Sequence, residues 1–291
     1  MQNSMTYHHL CAVINTFVKQ QSLPGSIRIL DMGCGSGQLI TFLQSKLSHL
    51  REDIHFELYG FDVTDSHVQA SDYFGATLNL LRQEFPEIEW EKRIHLITST
   101  QDWPFPDNYF NFVISNQVME HVFDHDFSLR QIKRVLIEDG ISIHLFPLKH
   151  CIFDGHLLLP FVHWISNQDL LFEFIKICSI LGMGKYKKYL PKGTDADLMD
   201  FCRKHADYMI YETNYLTLTE VHKLAKRNKL RCSFRYTEEY YMNKLRQVAR
   251  KPVKYEYSHI RHPWWKRIFF SFCVRLASIT LILEKRNTYP I

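Results

Sequence analysis

This 291-residue sequence has neither a Cys-x-x-Cys pair nor the pattern of a signal peptide in its first residues. Its seven cysteines are scattered, odd in number and never spaced as a Cys-x-x-Cys pair, which argues against structural zinc and for reduced thiols. The first ten residues lack the basic flank and apolar core of a signal peptide. There is no internal repeat and no low-complexity segment. We therefore expect a cytoplasmic protein with a packed core.

Long uninterrupted hydrophobic runs are also scarce. The apolar stretch at 264–283 is broken by Lys266, Arg267 and Arg275, which excludes a membrane-spanning helix. Two interpretations of the stretch remain: an interfacial amphipathic helix and, more simply, a helix buried on a sheet.

Residues 217–291 hold 17 Lys and Arg against 5 Asp and Glu, and residues 1–216 hold 18 against 26. This basic end predicts an anionic substrate, a nucleic acid, weak membrane-surface contact or only a solvated face.

Strand-like runs alternate with helical patterns in the first half of the chain. Strands are predicted at 27–32, 55–61, 94–98, 110–115 and 141–146, and helices at 37–47, 66–85 and 124–137. Buried strands separated by helices indicate a parallel sheet that is covered on both faces. Ligands of such sheets bind at the carboxyl ends of the strands.

The alternation breaks after Pro147 and returns at Thr217-Leu218-Thr219-Glu220, which has the form of a capping box. A helix is predicted from there, followed by a strand at 230–236, a helix at 263–276 and a strand at 278–284. We therefore expect a core formed by residues 1–147 and 216–291. Residues 148–215 are predicted to be an inserted, substrate-binding lid over the ligand edge of the sheet.

A glycine-rich loop follows the first strand, with the sequence Asp31-Met32-Gly33-Cys34-Gly35-Ser36-Gly37. Glycine allows a tight turn and a close approach of the backbone to a ligand. An amphipathic pattern begins directly afterwards, so backbone N–H groups and a helix dipole would face that ligand. A dinucleotide fingerprint would need a further glycine where Gln38 stands.

An acid also ends the second strand. Asp62 lies 25 residues after Gly37, where a carboxylate can accept hydrogen bonds from both hydroxyls of a ribose. The alternative is that Asp62 caps a helix that starts near Ser66.

Two further motifs follow the third and fourth strands. They read Ser99-Thr100-Gln101-Asp102-Trp103-Pro104-Phe105, leading into Asp107-Asn108-Tyr109-Phe110, and Asn116-Gln117-Val118-Met119-Glu120-His121-Val122. With the glycine loop and Asp62, this set resembles the class I S-adenosylmethionine-dependent methyltransferases. The sequence departs from the family pattern at Ser99 and Asn111, where the family commonly has acids.

The resemblance implies a fold, a cofactor and a set of contacts. The fold would be α/β, with a seven-stranded, mostly parallel Rossmann-like sheet in the order 3-2-1-4-5-7-6 and helices on both faces. The cofactor would be S-adenosyl-L-methionine. His121 matches a histidine frequent in the family, and we interpret it as structural. The implied cofactor-binding residues are Asp31 and Gly33 at the methionine amine, Gly35 and Gly37 where the backbone approaches, Asp62 and Val63 at the ribose, Thr100, Gln101 and Asp102 at the adenine, and Asn116 and Gln117 at the methionine end.

The segment after the fifth strand carries an acid-x-His pattern, Asp154-Gly155-His156, and then His163-Trp164. This resembles, more loosely, a subgroup of these enzymes that acts on sugars and small metabolites. His156 is the candidate general base, with Asp154 to orient it, because a neutral histidine accepts a proton near neutral pH. The alternative is that His156 and His163 are packing or loop residues in a chain with sixteen histidines.

We expect no resident metal. His150, Asp154, His156 and His163 could chelate one, but magnesium prefers hard oxygen ligands over imidazoles. The leading hypothesis is methyl transfer to a hydroxyl of a small molecule, with a carbohydrate or glycosylated metabolite as the expected acceptor. The alternatives are an RNA methyltransferase, which would use the basic end and its aromatic residues, and a cofactor-binding module without turnover. Nucleic acid is not the expected partner, and the oligomeric state stays open.

Overall fold

The computed structural model describes residues 4–21, 25–65, 73–186, 197–258 and 264–285, with the side chains of 264–268 excepted. Seven strands form one sheet in the order β3-β2-β1-β4-β5-β7-β6, which confirms the predicted fold. β7 is antiparallel to both of its neighbours, and the other pairs are parallel. The strands are β1 Ser26–Met32, β2 His55–Val63, β3 Ile94–Ile97, β4 Phe110–Asn116, β5 Leu136–Pro147, β6 Leu230–Ser233 and β7 Ser278–Lys285.

Helices cover both faces of the sheet. The helices of the described residues are α1 Met5–Gln21, α2 Gln38–Leu50, α3 Tyr73–Glu84, α4 His125–Val135, α5 Gln168–Ile180, α6 Leu198–Tyr211, α7 Leu218–Arg227, α8 Thr237–Val248 and α9 Trp264–Cys273. Of these, α5 and α6 lie within residues 148–215 and pack on each other. Alternating residues of β1 show the two layers: Ile29 packs with α1 and α2, whereas Leu30 packs with α4 and α7. Successive side chains of a strand point to opposite faces, so a strand that is apolar throughout is buried on both.

Some boundaries differ from those predicted. α4 ends at Val135, because Leu136 already pairs with Phe110 as part of β5. β6 ends at Ser233 and is followed by α8, a helix that the sequence pattern did not predict. The helix predicted at 66–85 is seen from Tyr73 onward, and residues 66–72 lie outside the described part of the chain.

Part of the basic end of the chain pairs with acids of the core. Arg235 and Arg231 face the carboxylate of Glu284, and Lys285 lies 3.7 Å from Glu138. Tyr236, Tyr240 and Tyr241, the aromatic residues that suggested an RNA surface, are buried and cannot stack on bases. Among the described residues, no helix has the length and apolarity that a membrane crossing requires.

The segment 148–215 leaves the sheet after β5 and builds a small core of its own. The backbone N–H of Lys149 donates to the carbonyl of Leu216, so the segment begins and ends at one place beside the sheet. α5 packs against α6, and the buried residues of this cluster are Leu157, Leu159, Val162, Leu171, Ile175, Cys178, Cys202, Ala206 and Met209.

The capping box at the return to the core is present as predicted. Thr217 Oγ1 accepts the backbone N–H of Glu220 at 3.2 Å, and Glu220 Oε2 accepts the backbone N–H of Thr217 at 2.7 Å. Both bonds satisfy N–H groups that the first turn of α7 cannot pair within the helix.

Replacing Thr217 by Ala should therefore destabilise the protein by about 1 kcal/mol, the usual cost of losing an N-cap hydroxyl. Urea unfolding followed by circular dichroism measures this. Thr219→Ala is the matched control, because Thr219 is exposed inside the first turn of the same helix, and Ala has the higher helix propensity. Equal losses for both variants would contradict the role of the cap.

Candidate active site

The glycine loop is locked against the end of β2. The backbone N–H groups of Gly33 and Cys34 both donate to the carbonyl of Phe61, at 2.9 and 3.0 Å. Gly33 and Gly35 have positive φ values of 73° and 49°, a conformation that costs other residues free energy. A Cβ atom on Gly33 would lie 2.7 Å from a methyl carbon of Val118. Position 33 therefore requires glycine, both because its φ is positive and because Val118 leaves no room for a Cβ atom.

Asp62 ties the loop to the second strand. Its carboxylate accepts the backbone N–H of Gly35 at 2.7 Å and that of Val63 at 2.8 Å. Burial raises the pKa of Asp62, and these two N–H groups oppose the shift. Asp31, at the end of β1, is also buried, and burial together with the charge of Asp62 raises its pKa well above the usual range.

A cleft of about 370 Å³ opens at the carboxyl ends of β1, β2 and β4. Gly37, Gln101 and Asp102 are not among its lining residues: Gly37 is the N-cap of α2, and Asp102 accepts a hydrogen bond from Gln131 on α4. The predicted cofactor residues that do line the cleft are Asp31, Gly33, Gly35, Asp62, Val63, Thr100, Asn116 and Gln117.

The structure adds residues that the motifs did not point to. Tyr7 of α1 reaches the cleft, and burial together with the charge of Asp31 raises its pKa. Asp65 lines the cleft and accepts hydrogen bonds from the backbone and hydroxyl of Ser99. No motif in the sequence signals that Tyr7, on the first helix, faces a ligand site.

Beyond the cleft wall, the structure brings Asp154 and His156 together. Asp154 Oδ1 accepts the backbone N–H groups of His156 and Leu157, both at 2.8 Å. Asp154 Oδ2 accepts the hydroxyl of Tyr215 at 2.7 Å and lies 3.1 Å from His156 Nδ1. The acid therefore holds the imidazole in one orientation.

The same contacts set the charges of the pair. Burial alone would raise the pKa of Asp154, but the hydrogen bonds and positive charge of His156 outweigh it and lower that pKa to about 2. Burial alone would lower the pKa of His156, but the hydrogen bond and charge of Asp154 outweigh it and raise that pKa. Asp154 is thus a carboxylate, and His156 binds a proton more readily than a free histidine.

His121 connects this pair to the cleft. It lines the cleft, and its Nε2 lies 3.2 Å from Nε2 of His156. Its Nδ1 lies 2.7 Å from the backbone carbonyl of Glu212. His121, interpreted from the sequence as structural, thus stands between the cleft and the predicted base.

Glu120 is a neighbour that the sequence analysis overlooked. Its carboxylate is 1% exposed, neither oxygen has a hydrogen-bond partner in the described structure, and burial raises its pKa to about 7. It groups with His121 and His156, with one potential ligand atom of each lying within 4.8 Å of the others. The only signal in the sequence was an acid beside a histidine directly after a strand.

The other two histidines considered for a metal site do not join this group. His150 is exposed. His163 Nε2 lies 2.8 Å from the carbonyl of Cys151 and 3.3 Å from its sulfur. The cluster of potential ligands among the described residues therefore consists of Glu120, His121 and His156, without His150 or His163.

The family follows from comparison with known proteins. A family model described as a methyltransferase domain matches residues 3–202, more than half of the chain. The chain belongs to the methyltransferase domain family. Its sheet has the order of the class I fold, and its methyl donor is S-adenosylmethionine.

Curated relatives of this methyltransferase match over a shorter stretch. The ubiquinone/menaquinone biosynthesis C-methyltransferases UbiE of Vibrio parahaemolyticus and Vibrio cholerae are each 30% identical over 118 residues, which cover 40% of this chain and 39% of theirs. The chain thus spans about two fifths of the length of these relatives.

Solved structures align along nearly the whole chain. The YcgJ protein of Bacillus subtilis has a TM-score of 0.45 and 15% identity, and the alignment covers 96% of this chain and 99% of that one. Phosphoethanolamine N-methyltransferase 2 of Haemonchus contortus has a TM-score of 0.46 and 10% identity, covering 94% of this chain and 52% of that one.

The cleft of this methyltransferase fits a positively charged amino acid joined to a nucleoside. Two buried carboxylates, Asp31 and Asp62, line it at the ends of adjacent strands. Asn116 also lines it, and its buried Oδ1 has no hydrogen-bond partner in the described structure. A buried carbonyl oxygen without a partner is costly, so a donor on the ligand would satisfy it.

Gly33→Ala should destabilise the methyltransferase by roughly 1–2 kcal/mol from the left-handed backbone alone, and by more because the new methyl displaces Val118. Urea unfolding measures the loss, and calorimetry should show weakened S-adenosylhomocysteine binding. Gly75→Ala is the control, because a Cβ on that helical glycine meets no atom within 4 Å. A Gly33→Ala protein as stable and as tight-binding as the wild type would contradict this account.

Proposed function

We propose that this methyltransferase transfers a methyl group to a hydroxyl oxygen of a small molecule, and that His156, oriented by Asp154, accepts the proton of that hydroxyl. The observation that supports this most is the ordered contact from Asp154 through His156 to His121 at the cleft wall. S-adenosylmethionine supplies a methyl group already attached to a positively charged sulfur, so the protein needs chiefly to align the acceptor and remove its proton.

For the donor, we propose that Asp31 and Gly33 hold the methionine amine and that Asp62 and Val63 hold the ribose. Gly35 would let the backbone come close, with Asn116 and Gln117 lining the methionine end. The cleft position of these residues supports the assignment. Of the three candidates for the adenine, Thr100 is the one that lines the cleft, so we retain it.

The orientation of His156 supports its proposed role as the base. Its Nδ1 is engaged by Asp154, which leaves Nε2 for a proton from the acceptor. Nε2 of His121 lies 3.2 Å away and could share that proton. The His156 side chain is 23% exposed, so an acceptor can reach it.

We propose that the inserted segment 148–215 forms the acceptor site, as a lid. Phe161 and Trp164 contact each other with ring centroids 4.8 Å apart and ring planes tilted by 47°, and both are at least 40% exposed. Tyr208 and Tyr215 contact the histidine pair, whereas Tyr189 lies outside the described residues. Aromatic faces beside a few polar groups suit a carbohydrate or glycosylated metabolite. UbiE is named as a C-methyltransferase and the Haemonchus contortus enzyme as an N-methyltransferase. Transfer to a hydroxyl oxygen is therefore our own proposal for this chain.

Asp62→Ala should weaken the binding of S-adenosylmethionine and S-adenosylhomocysteine at least tenfold. It removes the proposed ribose acceptor and leaves the N–H groups of Gly35 and Val63 without their partner. Calorimetry with both ligands measures this, with Asp53→Ala, an exposed acid far from the cleft, as the control. Unchanged affinity would show that Asp62 does not hold the ribose.

His156→Ala should keep the affinity for S-adenosylmethionine, because His156 does not line the cleft. It should lower turnover on the order of 100- to 10,000-fold, the usual range for loss of a general base. Transfer of a tritiated methyl group to a panel of glycosides measures turnover, and NMR of the product identifies the methylated atom. His150→Ala is the matched control, since His150 is exposed in the same segment. Normal turnover by His156→Ala would refute the assignment of the base, and methylation at carbon or nitrogen would refute the hydroxyl acceptor.

A further inference from the structure

The carboxylate of Glu120 is buried, and its compensation in the described structure is incomplete: the charge of His156 and the backbone N–H of Glu120 favour the ionised form, but burial outweighs them. It is 1% exposed, and neither of its oxygens has a hydrogen-bond partner. A buried polar group without a partner costs free energy, and an ionised one costs far more unless it is paired or coordinates a metal. Glu120 lies in the short turn Met119–His121, directly after β4. This position puts a carboxylate that a cation would stabilise beside the cleft.

The adjacent histidines His121 and His156 also present lone pairs that a cation would stabilise. Nδ1 of His121 faces the carbonyl of Glu212, which only accepts hydrogen bonds, so this nitrogen carries the proton. Nδ1 of His156 faces the carboxylate of Asp154 and carries its proton for the same reason. In the neutral imidazoles, the two Nε2 atoms then direct lone pairs at each other across 3.2 Å. A cation between or beside them removes this repulsion.

The spacing of the two nitrogens is that of metal ligands. Imidazole nitrogens bound to a tetrahedral zinc-type ion at about 2.0–2.1 Å lie roughly 3.3 Å apart, close to the 3.2 Å seen here. Each histidine also has the outer partner that metal-bound histidines usually have, a backbone carbonyl for His121 and a carboxylate for His156. The remaining polar neighbour is the hydroxyl of Tyr208, 3.5 Å from His121 Nε2.

We propose that Glu120, His121 and His156 bind one divalent first-row transition-metal ion. Two imidazoles and one carboxylate form a ligand set that leaves coordination positions open, and His121 places the site at the cleft wall. Asp154 and the Glu212 carbonyl are positioning groups. This site differs from our expectation of no resident metal and from the ligand set that the sequence suggested, since it uses neither His150 nor His163.

The inference deepens the proposed function and rests on it for the role of the ion, although not for its binding. A metal ion and a proton use the same Nε2 lone pairs, so they exclude each other. The metal-free pair accepts a proton, and the metal-loaded pair is available to hold an oxygen of the acceptor. Metal binding can therefore be tested without any acceptor.

The test is a Co²⁺ titration of the full-length protein after treatment with a chelator. We expect one Co²⁺ per chain, with the visible absorption of a four- or five-coordinate site, displaced by Zn²⁺. Glu120→Gln and His121→Ala should each weaken binding at least 100-fold, and Asp154→Asn should weaken it about 10- to 100-fold as an outer partner. Glu84→Gln and His49→Ala are matched controls, because both residues are exposed and remote from the cleft.

Because Glu120 is buried, each variant is first checked for folding by circular dichroism, since His121 lines the cofactor cleft and its loss could weaken ligand binding in a folded protein. If Glu120→Gln does not fold, His156→Ala, whose side chain is partly exposed, takes its place with the same expectation. Absence of stoichiometric Co²⁺ binding to the wild type, or binding that these variants leave unchanged, would overturn the inference. Methyl transfer by the chelator-treated protein is measured in parallel. If the chelator-treated protein transfers no methyl group but still binds Co²⁺ on titration, the result counts against His156 as the base and does not affect the metal site.

Discussion

The carboxylate of Asp154 is the interaction on which the arrangement beyond the cofactor cleft depends. It accepts two backbone N–H groups from its own turn and the hydroxyl of Tyr215 at the opposite end of the inserted segment, and it engages Nδ1 of His156. One buried charge therefore closes the segment on itself and orients the imidazole. These hydrogen bonds outweigh the cost of burial, as the lowered pKa of Asp154 shows. A neutral amide at this position would accept fewer of them and could not hold a positive imidazole.

The cofactor half rests on a different constraint, the meeting of parallel strand ends. β1 and β2 are paired in register, so Asp31 lies opposite Gly60 and the loop after β1 reaches Asp62. A Cβ on Gly60 would come within 2.9 Å of Cys34, which shows how closely the loop packs on the neighbouring strand. The charge of Asp62 adds to burial in raising the pKa of Asp31, and a cationic ligand would relieve that repulsion.

The sheet and most of the cofactor cleft could be predicted from the sequence, because both depend on local patterns. Apolar runs, glycine spacing and the acid at a strand end are properties of a few consecutive residues. α8 was missed because Tyr236 takes a positive φ of 72° to start it, which no local rule predicts for tyrosine, and because its charges resembled a solvated tail. Glu120 was missed for another reason. The inserted segment contributes to its burial, and that contact joins residues about 90 positions apart, as in the bond from Asn214 N–H to the Glu120 carbonyl.

The two halves of the site therefore differ in what they depend on. Asp31, Asp62 and the glycine loop belong to the sheet, and their geometry is fixed once the strands pair. The histidine pair is shared: His121 follows β4, whereas His156 comes from the inserted segment. The distance between their Nε2 atoms is thus a property of the docking of the segment on the sheet. A change that shifts this docking would alter the reacting geometry without touching the cofactor cleft, so one core could serve different acceptors by changing the segment alone.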